Sequence, residues 1–117
     1  MKSKVSFEGV GEVAATFFAG SGVKAGQVVK LSGDGTVAAC GAGDRFCGVA
    51  LSVREGCAGV QTGGYAAVKC ADSTVTVGYV TLTADGNGGV KKKGTDDAGQ
   101  EFLVVADDGA GIITIKM

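Results

Sequence analysis

Gly26-Gln27-Val28-Val29-Lys30-Leu31-Ser32-Gly33-Asp34-Gly35 decides the fold, because the chain repeats its outline as Gly78-Tyr79-Val80-Thr81-Leu82-Thr83-Ala84-Asp85-Gly86. Each stretch opens on glycine, continues as an alternating strand and closes in an Asp-Gly turn. The opening glycines lie 52 residues apart and the turn aspartates 51. The segments downstream of each stretch echo one another as well. Phe46-Cys47-Gly48-Val49-Ala50 resembles Phe102-Leu103-Val104-Val105-Ala106 at an offset of 56, and Gly59-Val60-Gln61-Thr62-Gly63 resembles Gly111-Ile112-Ile113-Thr114-Ile115 at an offset of 52. A near-constant offset across three blocks reads as two copies of one β unit, and an internal period of this kind sets the architecture.

Within the first copy, Val28 and Lys30 face one way and Val29 and Leu31 the other. Asp34-Gly35 is expected to supply the positive φ angles of a two-residue hairpin turn, with Thr36-Val37-Ala38-Ala39-Cys40 returning as the partner strand. Further strands are expected over residues 46–53, 59–62, 65–70, 74–77, 79–83, 101–106 and 112–116. Short strands at roughly 8–12-residue spacing with turn residues between them indicate a sandwich or barrel. The fold class is therefore all-β: a small β-barrel or sandwich built from two similar β units, with an extended N-terminal arm. Residues 1–18 read as that arm or a first strand pair, and 19–117 as a single β domain with pseudo-repeats at about 23–70 and 72–117. A short helix within residues 11–18 is the alternative there; elsewhere helical periodicity does not persist beyond about two turns.

Composition narrows the function. A chain of 117 residues is one domain in length. Eleven Lys and Arg against 12 Asp and Glu leave a net charge of −1, which argues against a nucleic-acid partner, whose binder carries a basic face. A 45% apolar content argues against disorder. Twenty-two glycines with no Pro, Trp or His point to tight turns and close backbone approaches. No apolar run reaches the roughly 18 residues of a membrane span. Met1-Lys2-Ser3-Lys4-Val5-Ser6-Phe7-Glu8 lacks the apolar core of a signal peptide. The expected compartment is a reducing cytosol, with Cys40, Cys47, Cys57 and Cys70 as free thiols. All four lie in or beside apolar segments and read as small buried hydrophobes.

The chemistry-bearing motifs are weak. Without histidine, the usual activating base of a serine or cysteine nucleophile is missing, so the expectation is no enzyme, no cofactor and no metal. Gly9-Val10-Gly11-Glu12-Val13-Ala14 matches a loose dinucleotide fingerprint, but that motif needs a strand–helix–strand unit, and the segment reads as a glycine bend. Lys91-Lys92-Lys93 reads as a solvated strand edge, where lysines block unwanted pairing, with partner contact as the alternative. Asp34, Asp85, Asp107 and Asp108 sit in Gly-rich turns and read as turn residues rather than calcium ligands. Ile115-Lys116-Met117 is superficially similar to a biotinyl lysine motif, but lies at the chain end with no returning strand.

The order Val23-Lys24-Ala25-Gly26-Gln27-Val28-Val29, Gly48-Val49-Ala50-Leu51, Val60-Gln61-Thr62-Gly63-Gly64 and Gly78-Tyr79-Val80-Thr81-Leu82 resembles small Gly/Ala/Val-rich phage head proteins, the capsid decoration (cement) proteins and their prophage-encoded relatives. The likeness covers most of residues 20–117. It implies a non-enzymatic virion protein, made in the bacterial cytoplasm, that docks on the outside of an assembled capsid and braces it. The implied partners are the major capsid protein and further copies of the chain, often as a trimer. Lys2, Ser3, Lys4, Val5, Ser6 and Phe7 are the expected capsid contact, as an arm that adds a strand to a capsid edge. Apolar faces near Phe17, Phe18 and residues 49–51 are expected in core or subunit packing. The alternatives are another minor head component, such as a fibre base or shell protein, and a biotinyl- or lipoyl-like carrier domain.

Overall fold

The computed structural model describes residues 11–117. These residues form ten strands and no helix: β1 (Val13–Ala19), β2 (Val28–Gly33), β3 (Thr36–Ala39), β4 (Gly48–Arg54), β5 (Cys57–Gly63), β6 (Tyr65–Lys69), β7 (Gly78–Ala84), β8 (Val90–Lys92), β9 (Gln100–Asp107) and β10 (Ile112–Lys116). Residues 74–77, expected as a strand, are instead a loop that turns on Asp72 and buries Val75.

The two halves share one strand order. β1 to β5 close into a barrel in the order β1-β3-β2-β4-β5, and β6 to β10 form a sheet in the order β6-β10-β9-β7-β8. Every antiparallel pair of the barrel has a counterpart: β2·β3 and β7·β8, β2·β4 and β7·β9, β4·β5 and β9·β10, β1·β5 and β6·β10. The all-β reading with two similar units therefore holds. The units meet at Gly64, so β1 opens one and β6 the other. Ala14-Ala15 in β1 and Ala66-Ala67 in β6 lie 52 residues apart, the same offset as the other blocks.

Closure separates the units. In the barrel, β1 pairs in parallel with β3, Phe18 opposite Thr36 and Ala19 opposite Val37. Backbone bonds from Gly20 N to Val37 O (2.7 Å) and Ala39 N to Ser21 O (3.0 Å) extend the seam. In the second unit β6 and β8 do not pair. There a side chain bridges the gap: Asp72 Oδ2 accepts the Lys92 backbone N–H at 3.1 Å, while Oδ1 accepts from Thr74 N (2.9 Å) and Thr74 Oγ1 (2.6 Å).

The hairpin turns depart from expectation. At Asp34-Gly35 only Gly35 has positive φ, 62°. The β2–β3 register shifts between Leu31 and Gly33, and this bulge takes up the geometry that a doubly left-handed turn would otherwise supply. The turn with two positive φ angles is Glu55 (51°) and Gly56 (78°), because Arg54 pairs directly with Cys57 and leaves two residues to reverse the chain. Glu55 is the only non-glycine with positive φ among the described residues.

Two apolar clusters fill the molecule. Inside the barrel lie Val29, Val37, Ala50, Ala58 and Val60, with Phe17, Ala19 and Val23 against them. The larger cluster lies between barrel and sheet. Val28, Phe46 and Val49 enter it from the barrel side, and residues such as Leu82, Phe102, Val104, Ile113 and Ile115 from the other. The Phe46 and Phe102 rings stack with centroids 5.0 Å apart and planes 8° from parallel. Both rings are buried, and large-to-small changes at such sites cost about 3–5 kcal/mol. Phe102→Ala is expected to lower stability by that amount, read as a fall in the denaturant midpoint.

Candidate functional site

The expected capsid-contact residues Lys2, Ser3, Lys4, Val5, Ser6 and Phe7 lie outside the described residues. The described chain starts at the joint between the units: a side chain at Gly64 would come within 2.8 Å of Glu12 backbone atoms. Gln61, 3% exposed, holds this joint by donating from Nε2 to Gly63 O (2.9 Å) and Tyr65 O (2.8 Å).

A solvent-open groove of about 460 Å³ lies where the loop between β3 and β4 meets the second sheet. Lys30, Leu31, Asp44, Arg45, Cys47 and Gln100 are among the residues that line it. Local chemistry explains its shape. Asp44 Oδ2 accepts from Gly41 N at 2.8 Å, which folds the Gly-rich loop on itself, and from Lys30 Nζ at 2.7 Å. The backbone continues the clamp. Gly43 N donates to Ala84 O, Ala84 N to Asp44 O and Ala98 N to Gly43 O, each at 2.9 Å. Thr83 is fully buried beneath the loop, with the Ala98 and Asp44 carbonyls 2.6 and 3.0 Å from its hydroxyl. Arg45 reaches Gln100 Oε1 from Nε at 3.1 Å and from Nη2 at 2.5 Å.

The groups in this region are engaged in structure. The hydrogen bond from Lys30, then that from Gly41, hold the Asp44 carboxyl below the usual range, and the same contact raises Lys30. Both side chains are more than a third exposed, so solvent screens the pair. Burial pushes the Cys40 thiol up to about 11 and raises Cys47 and Cys70 too. These thiols are protonated at neutral pH, the less nucleophilic form. The four cysteines are free, as expected. Their burial is a correction: Cys70 is buried, Cys40 and Cys57 are half-buried, and Cys47 is exposed because it lies just ahead of β4 on the groove wall.

The other sequence motifs take their places plainly. Val13 and Ala14 begin a strand, where a dinucleotide site would need a helix. Asp85 and Asp108 turn their carboxylates onto the backbone, Asp85 accepting from Asn87 N (2.6 Å) and Asp108 from Ala110 N (2.7 Å), as turn residues do. Lys91 and Lys92 lie on the edge strand β8. Lys116 lies on β10, between β6 and β9, rather than on the hairpin tip a carrier lysine occupies. Among the described residues no group of three or more acidic, Cys or His side chains is gathered for a metal, and no helix is long and apolar enough to cross a membrane. The Lys30–Asp44–Arg45–Gln100 constellation was not legible in the sequence; its one signal was a carboxylate closing Gly41-Ala42-Gly43.

No family model matches the chain, and no curated protein sequence matches it either.

Asp44 and Asp72, whose carboxyl is held below the usual range first by the Thr74 hydroxyl and then by the Thr74 and Lys92 N–H groups, set the acid response. A lowered folded-state value means that stability is fully present above the unfolded value near 4 and lost as pH falls through the folded one. The thermal midpoint is expected to fall between about pH 5 and pH 2. The double variant D44N/D72N should show a shallower fall over that range, and an unchanged slope would count against these two groups.

Proposed function

We propose that this protein is a structural component of a phage head, one that binds the outer surface of an assembled capsid as a homo-oligomer and stabilises it. The supporting sequence observation is the resemblance of its Gly/Ala/Val-rich paired β units to capsid decoration proteins. The observation that carries the reading on the structural side is the exposed apolar surface. Phe18, Leu31, Val77 and Tyr79 are each more than 60% exposed, and Val13, Leu51 and Val53 add to them. These outward apolar groups are available for contact with partners.

The mechanism is linkage. A protein that binds the assembled lattice and not free subunits shifts the equilibrium towards the lattice, and many copies multiply a weak individual contact. Lys2, Ser3, Lys4, Val5, Ser6 and Phe7 serve as the capsid contact, with the alternation Lys4-Val5-Ser6-Phe7 suited to adding a strand to an exposed edge. The major capsid protein is the partner, and the site of action is the capsid surface after synthesis in the bacterial cytoplasm.

Co-sedimentation with purified expanded capsids tests this. The full chain is expected to pellet with capsids at fixed stoichiometry, to ignore free capsid subunits and to raise the temperature at which capsids rupture. Removal of residues 1–7 should abolish pelleting while leaving the circular dichroism of the β domain unchanged. A full-length chain that stays in the supernatant overturns the reading, and a truncated chain that still pellets overturns the assignment of the arm.

A further inference from the structure

Part of the barrel's outer wall is left uncovered in a particular way. Phe17 and Ala58 face the barrel interior, so their neighbours on β1 and β5 face out. Two cross-strand rows result: Thr16, Gly59 and Ser52 in one, and Phe18, Cys57 and Arg54 in the next. In the row nearer the second sheet Gln61 and Val49 are buried, while Ala14 on β1 is exposed. The two outer rows are not. Phe18 is 64% exposed. Beside it runs an open groove of about 510 Å³ lined by Thr16, Ser52, Arg54, Glu55, Cys57 and Gly59. Gly59 gives the groove its floor, since a side chain there would meet Ser52 Oγ at 3.0 Å. Arg54 and Glu55 are exposed at its rim, and neither has an ion pair among the described residues.

We propose that two copies of this chain pair through this wall, Phe18 of each seated in the groove of the other and Arg54 of each facing Glu55 across the axis. Three features select a second copy over a different partner. The projecting ring and the groove that receives it lie on the same wall, which is the condition for a self-complementary two-fold contact. The rim carries one cation and one anion as chain neighbours, so a two-fold axis placed between them sets Arg54 of each copy opposite Glu55 of the other. The wall thus presents balanced charge, without the single sign that would favour a strongly acidic or basic partner. An aromatic side chain entering a groove beside an arginine also matches the composition of interface anchors. This pairing rests on the self-association in the proposed function but makes its unit a two-fold pair in place of the trimer that the resemblance implies, so a three-chain mass also overturns it; it is independent of capsid contact, which falls to residues 2–7.

The test uses the full chain without capsids, so it fails separately from the capsid assay. Light scattering should give twice the 11.5 kDa chain mass. Phe18→Asp should return the mass to a single chain with unchanged circular dichroism. Arg54→Glu and Glu55→Arg should each weaken pairing by about tenfold or more, and R54E/E55R together should restore it to within about threefold of the original. Only contact between like copies gives that rescue within one sequence. A single-chain mass for the unaltered protein, an assembly that survives Phe18→Asp, or a double swap no better than the single ones overturns the proposal.

Discussion

The structure depends on the opening residues of two strands being buried on both faces. Val28 and Val29 are neighbours on β2, yet Val29 lies in the barrel interior and Val28 in the core shared with the second sheet. Ala50 and Val49 divide in the same way on β4. An antiparallel sheet ordinarily keeps one face for water. Here the outer face of the barrel wall is apolar at the start of β2 and β4, so that part of the barrel needs the second sheet as a cover, and the sheet's apolar face needs the barrel. The stacked Phe46 and Phe102 rings sit in that shared layer. Phe46 belongs to the loop whose Asp44 and Gly43 bond the backbone near Thr83 and Ala84, so the hydrogen-bond clamp and the aromatic stack hold the same junction.

The seams of the two units differ at one matched position. After β1 the chain passes Gly20 and Ser21, whose backbone continues along β3 and seals the barrel. A side chain at Gly20 would come 2.9 Å from Val37 O, so the seam requires a residue without one. Fifty-two residues later stands Asp72. Its carboxylate takes the Lys92 N–H instead of a backbone carbonyl, and the second unit remains an open sheet. Duplication thus supplied one strand order, and one seam made two shapes of it.

Exposed apolar residues divide by location in the same way. Val28 and Val49 are hidden because the second sheet ends over them. Phe18 and Leu51 lie on the same strands or their neighbours, beyond that cover, and stand in solvent. Composition does not distinguish these positions. The groove at Lys30 and Asp44 has the same origin: it forms where a Gly-rich loop from one unit lies against β9 of the other, and Arg45 and Gln100, 55 residues apart, meet there. No spacing rule links such residues before the units dock.

The sequence alone determined the all-β class, the two copies, the free thiols, the turn role of the Asp-Gly pairs and the lysine-bearing edge, because each rests on local periodicity, turn chemistry or composition. It misplaced Cys47, the residues between 74 and 77, and the conformation of the Asp34-Gly35 turn. Tertiary structure decided those. A bulge at Leu31–Gly33 changed what the turn had to do, the register of β4 with β5 moved the doubly left-handed turn to Glu55-Gly56, and the docking of the units fixed which valines meet water. Period-two alternation tells which residues share a strand face, but which face is covered depends on elements far away in the chain, and that is a property only of the packed molecule.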